Sequence, residues 1–168
     1  MSQISMHAFS APTFARMLRN LSAMLAKAEA HAKAKNFDPA VLLNDRLAPD
    51  MFTLTRQVQI ATDHAKGAMA RLAGKQPEVI PDTDTTIADL QARIAKVIAI
   101  VESITPAQLE GADKREISIK IPNQELKFSG IDYLNGWALP NFYFHMTMAY
   151  AILRHNGVEL GKRDFLMS

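Results

Sequence analysis

The sequence predicts an all-α protein, a four-helix bundle with a small β-hairpin inserted before the last helix. Three observations predict it. Four segments carry apolar residues at three-to-four spacing, the period of one helix face. Clusters of Pro, Gly, Asn and Asp separate those segments. One stretch, about 115–130, switches to a period of two.

Ser10-Ala11-Pro12 opens the first helix, a capping hydroxyl followed by proline in the first turn. Phe14, Met17, Leu18, Leu21, Leu25 and Ala28 form its stripe, which runs to about Lys35. Asn36-Phe37-Asp38-Pro39 ends it and opens a short helical turn through Leu42 and Leu43. The second helix follows Pro49-Asp50, with Leu54, Val58, Ala61, Ala65, Met69 and Leu72 on one face and Gly74 just past its end. Gly74 to Asp84 is polar, carries Pro77 and Pro81, and reads as a loop. Thr86-Ile87-Ala88-Asp89 has the form of a capping box, with Asp in place of Glu. The third helix carries Ile87, Leu90, Ile94, Val97, Ile98, Val101 and Ile104, and Thr105-Pro106 stops it.

In the hairpin, Ile117, Ile119 and Ile121 alternate with polar residues, as do Leu126 and Phe128, across a connection of about four residues, Pro122-Asn123-Gln124-Glu125. Two strands alone are marginal in water, so their apolar face is expected on the helices. The fourth helix covers roughly Ile131 to His155, with Pro140 kinking it or marking its true start. Asn156-Gly157 stops it, and Phe165 and Leu166 are expected to dock back on the body.

At 168 residues the chain reads as a single domain, 1–168. Hydrophobic residues make up 48% and charged residues 21%, which argues against disorder. The absence of cysteine removes disulfides, thiolate metal sites and cysteine nucleophiles. No apolar run approaches the ~20 residues of a membrane span. Met1 to Ser10 carries no basic residue and no long apolar core, so it does not read as a secretory signal. A cytoplasmic location without membrane contact is the simplest expectation. The net charge is +2 and the basic residues are scattered, which argues against a nucleic-acid-binding face.

Chemistry falls to the histidines, since phosphate loops, HExxH, GxSxG and aspartate-rich calcium loops are absent. His7 and His31 read as solvent-exposed, and His155 as a cation at a helix C-terminus. His64 borders the stripe of the second helix, and His145 lies inside that of the fourth. Paired histidines on facing inner faces are how bundle cores hold metals and cofactors. The plainer reading is two core histidines, each satisfied by a hydrogen bond. A third metal ligand is hard to find: Asp63 points about 100° away around the helix, while Asn141 and Gln57 are amides facing the same space.

Leu139-Pro140-Asn141-Phe142-Tyr143-Phe144-His145, with Tyr150 to Val158 and Gly161 to Phe165, resembles the C-terminal signature of a bacterial family of unknown function. That family is similar to the DinB/YfiT-like superfamily of four-helix bundles, and the order of helices and the Asp63-His64 pair extend the likeness over nearly the whole chain. The superfamily is described as metalloenzymes, with one His from the second helix and an HxxxH pair from the fourth binding zinc or nickel. Its characterised members include thiol-dependent transferases and a maleylpyruvate isomerase. The resemblance implies metal ligands at His64 and His145; the second member of the pair falls on Ala149, which cannot ligate.

The expectation is therefore a DinB-like bundle with a divalent-metal or general acid–base site at His64 and His145, of transferase type. Asn141, Tyr143 and Trp137 are candidates for binding a cofactor or small-molecule ligand. The alternative is a non-catalytic ligand-binding or structural bundle whose site is vestigial. A homodimer fits either reading.

Overall fold

The computed structural model describes residues 5–167, so the first four residues of the segment tested for a signal lie outside the described residues. Four long helices dominate: α1 (Met6–Lys35), α3 (Leu54–Leu72), α4 (Ile87–Ser103) and α6 (Leu139–His155). Short helices fill the gaps: α2 (Ala40–Asn44), α5 (Gly130–Tyr133) and α7 (Lys162–Leu166). A two-stranded antiparallel hairpin, β1 (Glu116–Ile121) and β2 (Gln124–Ser129), lies between α4 and α5. Helix α3 packs against both α4 and α6, and α1 packs against α4 and the C-terminal α7. No helix among the described residues is long and apolar enough to cross a membrane.

The core is made by the predicted stripes. Phe14, Leu18, Leu21 and Leu25 of α1, Leu54, Val58 and Met69 of α3, Leu90 and Val97 of α4, and Phe142 and Met146 of α6 are all essentially inaccessible to solvent. Phe14 and Phe142 meet edge to face at 4.9 Å, joining α1 to α6 at the centre.

Local signals set most helix ends. Thr86 and Asp89 make the reciprocal capping box, so the shorter acid suffices. Gly74 closes α3 at φ 70°, its N–H donating to the Arg71 carbonyl. Helix α1, however, starts at Met6 with Ser5 as its cap, one turn before the expected start. Ser10 is buried, and its hydroxyl donates to the Met6 carbonyl at 2.7 Å. Pro12 therefore sits inside the helix. It is tolerated because Pro12 and Ala8 lie on the solvent side, where water can take the carbonyl left without a donor.

The hairpin is tighter than predicted. Ile121 pairs with Gln124, leaving a connection of only Pro122-Asn123. Asn123 has φ 65°, and proline followed by a left-handed residue is what a type II turn takes. Ile117 pairs with Phe128 on the face turned to the helices, where Phe128 lies against Tyr133 and Trp137 at 6.2 and 6.0 Å. The entry to α5 needs Gly130, because a Cβ there would stand 1.7 Å from the Ala112 carbonyl oxygen.

The predicted fourth helix divides. Helix α5 runs through a π turn, Leu134–Ala138, into α6. Pro140 sits in the first turn of α6, and the break lies just before it. In the tail, Phe165 docks on Tyr150 at 6.0 Å, while Leu166 stays exposed at 42%.

Candidate functional site

Residues 57, 64 and 71 are seven apart on α3, so Gln57, His64 and Arg71 fall on one line of the helix, two turns between neighbours. That line faces α5 and α6. His145 of α6 stacks on His64, with ring centroids 5.8 Å apart and planes 15° from parallel. The Gln57 amide nitrogen donates to the Phe52 carbonyl at 3.3 Å, which turns its oxygen toward His145. That oxygen lies 2.7 Å from Nδ1 of His145. A carbonyl oxygen only accepts, so Nδ1 carries the proton and Nε2 keeps its lone pair. Nε2 has no partner of its own, and no fully buried side-chain nitrogen or oxygen among the described residues lacks one, so solvent reaches it.

The environment keeps both rings neutral. Burial is the main cause that lowers His64 from 6.5 to about 4, with His145 and Arg71 adding to the effect and Asp63 opposing it. His145 is also lowered, first by burial and then by the Arg56 guanidinium. At the far end of the line, Arg71 Nη1 donates to the hydroxyl of the buried Tyr133 at 3.2 Å. Burial raises that phenol above its ordinary value, with Arg71 pulling the other way.

The structure thus brings His64, His145 and Gln57 together and engages the other candidates elsewhere. Asn141 turns its amide onto the Trp137 carbonyl at 2.7 Å, closing the chain after the π turn. Trp137 packs on Phe128 of the hairpin. Tyr143, two residues before His145, feels the Arg16 guanidinium of α1 and is 36% exposed. His7 and His31 are half-buried instead of exposed: His7 Nε2 lies 2.9 Å from the Ile104 carbonyl, and His31 packs edge-on to Phe37 at 5.8 Å. A cavity of about 810 Å³ lies between the second half of α1 and the tail, and neither His64 nor His145 lines it.

The divalent metal implied by the resemblance needs three converging ligands. An imidazole offers its lone pair in the ring plane, at about 2.0–2.1 Å from zinc. Stacked, near-parallel rings send their lone pairs along separate paths. Ala149 is fully buried and apolar, and no group of three His, Cys, Asp or Glu able to hold a metal occurs among the described residues. Asp63 is engaged by Lys66 at 2.9 Å and by Arg93 at 3.2 Å. The residues present do not fit the three-ligand site.

A family model described as a domain of unknown function, DUF1993, matches residues 6–166. The chain belongs to the DUF1993 family. The crystal structure of a DinB family member protein from Shewanella denitrificans is similar to this DUF1993 chain, with 44% identity over 96% of this chain and 92% of that one, and a TM-score of 0.88. No curated protein matches.

Sequence reading singled out His64, His145 and Gln57, which the structure brings together, but not Arg71 or Tyr133 beside them. The seven-residue spacing that links Gln57 to His64 also links His64 to Arg71 and would have found it. Nothing local marks Tyr133, whose place depends on the π turn.

Proposed function

We propose that His64 and His145 form a general acid–base pair serving a transfer reaction on a small molecule, in a single-domain four-helix bundle of the DinB kind. The observation that carries the reading is the Gln57–His145 hydrogen bond. It commits the proton to Nδ1 and presents Nε2 as a base where solvent reaches it. A base of lowered pKa is unprotonated at neutral pH and gives its proton up readily after taking it. His64, neutral beside it, offers an N–H or a lone pair to a polar group of the same substrate.

Long-range proton–nitrogen spectra of histidine-labelled protein test this. At pH 7 His145 should show an unprotonated Nε2, and both rings should be neutral. A charged His145, or a proton on Nε2, overturns the reading. Elemental analysis of protein purified without added ions tests the rival: stoichiometric zinc or nickel, lost in His64→Ala, would replace proton transfer with metal chemistry. The homodimer belongs to the same proposal, because Phe144, 53% exposed and edge-on to His145 at 5.2 Å, gives a second copy an apolar side chain to cover. Sedimentation over a concentration series reads it.

A further inference from the structure

Arg71 stands out among the guanidiniums near the site. Arg93 and Arg56 are each paired with aspartates. Arg71 is half-buried and has no carboxylate partner among the described residues. Its one hydrogen bond among the described residues goes to the neutral hydroxyl of Tyr133. A guanidinium has five N–H donors, so most of those on Arg71 are unspent.

Its position is arranged. Helical side chains lean toward the helix N-terminus, and Arg71 folds back over Gly67, one turn earlier. A Cβ at Gly67 would stand 2.6 Å from Arg71 Nη1, so the bare helix there leaves the space the guanidinium occupies. That brings the charge back along α3 toward His64, whose protonation it opposes.

We infer that the unpaired face of Arg71, held by Gly67 and Tyr133 beside His64, binds the carboxylate of a small-molecule ligand. The inference rests on the small-molecule reading of the histidine pair. Charge count selects the class. Arg56 is held by Asp82, so Arg71 brings one uncompensated positive charge to the seam. A monocarboxylate matches it, forming the paired hydrogen bonds that planar guanidinium and carboxylate share. A phosphate dianion would leave one charge uncompensated in a half-buried place.

Acetate and inorganic phosphate, each titrated into the full chain, provide the test, read at the Arg71 Nε–H in proton–nitrogen spectra. Acetate should move that signal saturably, and phosphate should need at least tenfold higher concentration. In Arg71→Met, which removes that reporter, the saturable acetate binding that titration calorimetry shows for the parent should be abolished. Gly67→Ala, which keeps the charge but displaces it, should weaken binding about tenfold and covers the case in which the first variant fails to fold. No saturable acetate response, equal affinity for phosphate, or unchanged acetate affinity in Gly67→Ala overturns the inference. Failure of the parent reading looks different: acetate still binds through Arg71, but His145 shows the wrong tautomer.

Discussion

Two polar clusters flank α3, and they are built to opposite ends. On the α4 side, Arg93 is almost fully buried, and all five of its N–H groups are used. Nε donates to Thr62, Nη1 to the Pro81 carbonyl and Asp84, and Nη2 to Asp63 and Asp82. Arg56 and Gln59 close the network through Asp82 and Asp84. On the α6 side, His145 keeps a free lone pair, and Arg71 keeps most of its donors. In the first cluster every Arg93 donor is spent inside the protein, and the network ties the loop before α4 to the body. The second holds its groups in place while leaving them unsatisfied. The difference separates a polar cluster that stabilises from one that can bind.

The largest test of that contrast is Arg93→Met. It takes the shared cation from three aspartates, leaving Asp63 to Lys66, Asp82 to Arg56 and Asp84 with none, and equilibrium unfolding in urea should show a loss of about 3 kcal/mol. A loss under about 1 kcal/mol would remove the structural role given to the network.

The acid side of the stability curve comes next. His64 binds a proton at about 4 in the folded chain and at 6.5 in the unfolded one. The unfolded state therefore takes up more protons between those values. Stability is complete above about 6.5 and falls as the pH drops toward 4, by up to about 3 kcal/mol at the acid end. Unfolding measured from pH 7 to 4.5 should show a shallower slope in His64→Ala than in the parent. Equal slopes would mean that His64 is not desolvated as described.

Gln57→Leu should cost about 1–2 kcal/mol, because it strips the buried His145 Nδ1–H of its acceptor. The same variant should let the His145 proton move between its two nitrogens, visible in the nitrogen spectra.

Arg71→Met should change stability by less than about 1 kcal/mol, since only a hydrogen bond to a neutral hydroxyl is lost. A destabilisation matching that of Arg93→Met would put the two clusters in one class. Smallest of all, Arg19→Gln breaks an ion pair whose side chains are about half exposed, and should shift stability by no more than about 0.5 kcal/mol in the same urea assay.

What the sequence made legible follows from how local each signal is. The Thr86–Asp89 box, the Gly74 cap and the Ile–Val stripe of α4 lie within a few residues of what they determine, and all appear where expected. Ser10 misleads because its hydroxyl finds an acceptor one turn back inside the helix, leaving the cap to Ser5. His64 and His145 are legible through period and residue type. Arg93 is not: its partners at positions 62, 63, 81, 82 and 84 come together only when the loop folds over α3 and α4. Asp63 shows the cost of reading one element alone. Its place beside His64 in sequence says nothing of its partners, and its carboxylate serves Arg93 and Lys66.

The π turn between α5 and α6 acts as a phase corrector. Tyr133 and His145 are twelve positions apart, which in an unbroken α-helix would rotate them ~120° from each other. One wide turn absorbs a residue and brings that angle down to ~20°. The wide turn, which offsets the extra residue, therefore decides whether Arg71 and His64 face companions on the same side. Removing Gly136, which is exposed and has open space where a Cβ would project, would leave eleven positions between Tyr133 and His145, which an unbroken α-helix already sets ~20° apart, so the turn should close to ordinary α-helix with Tyr133 still in line.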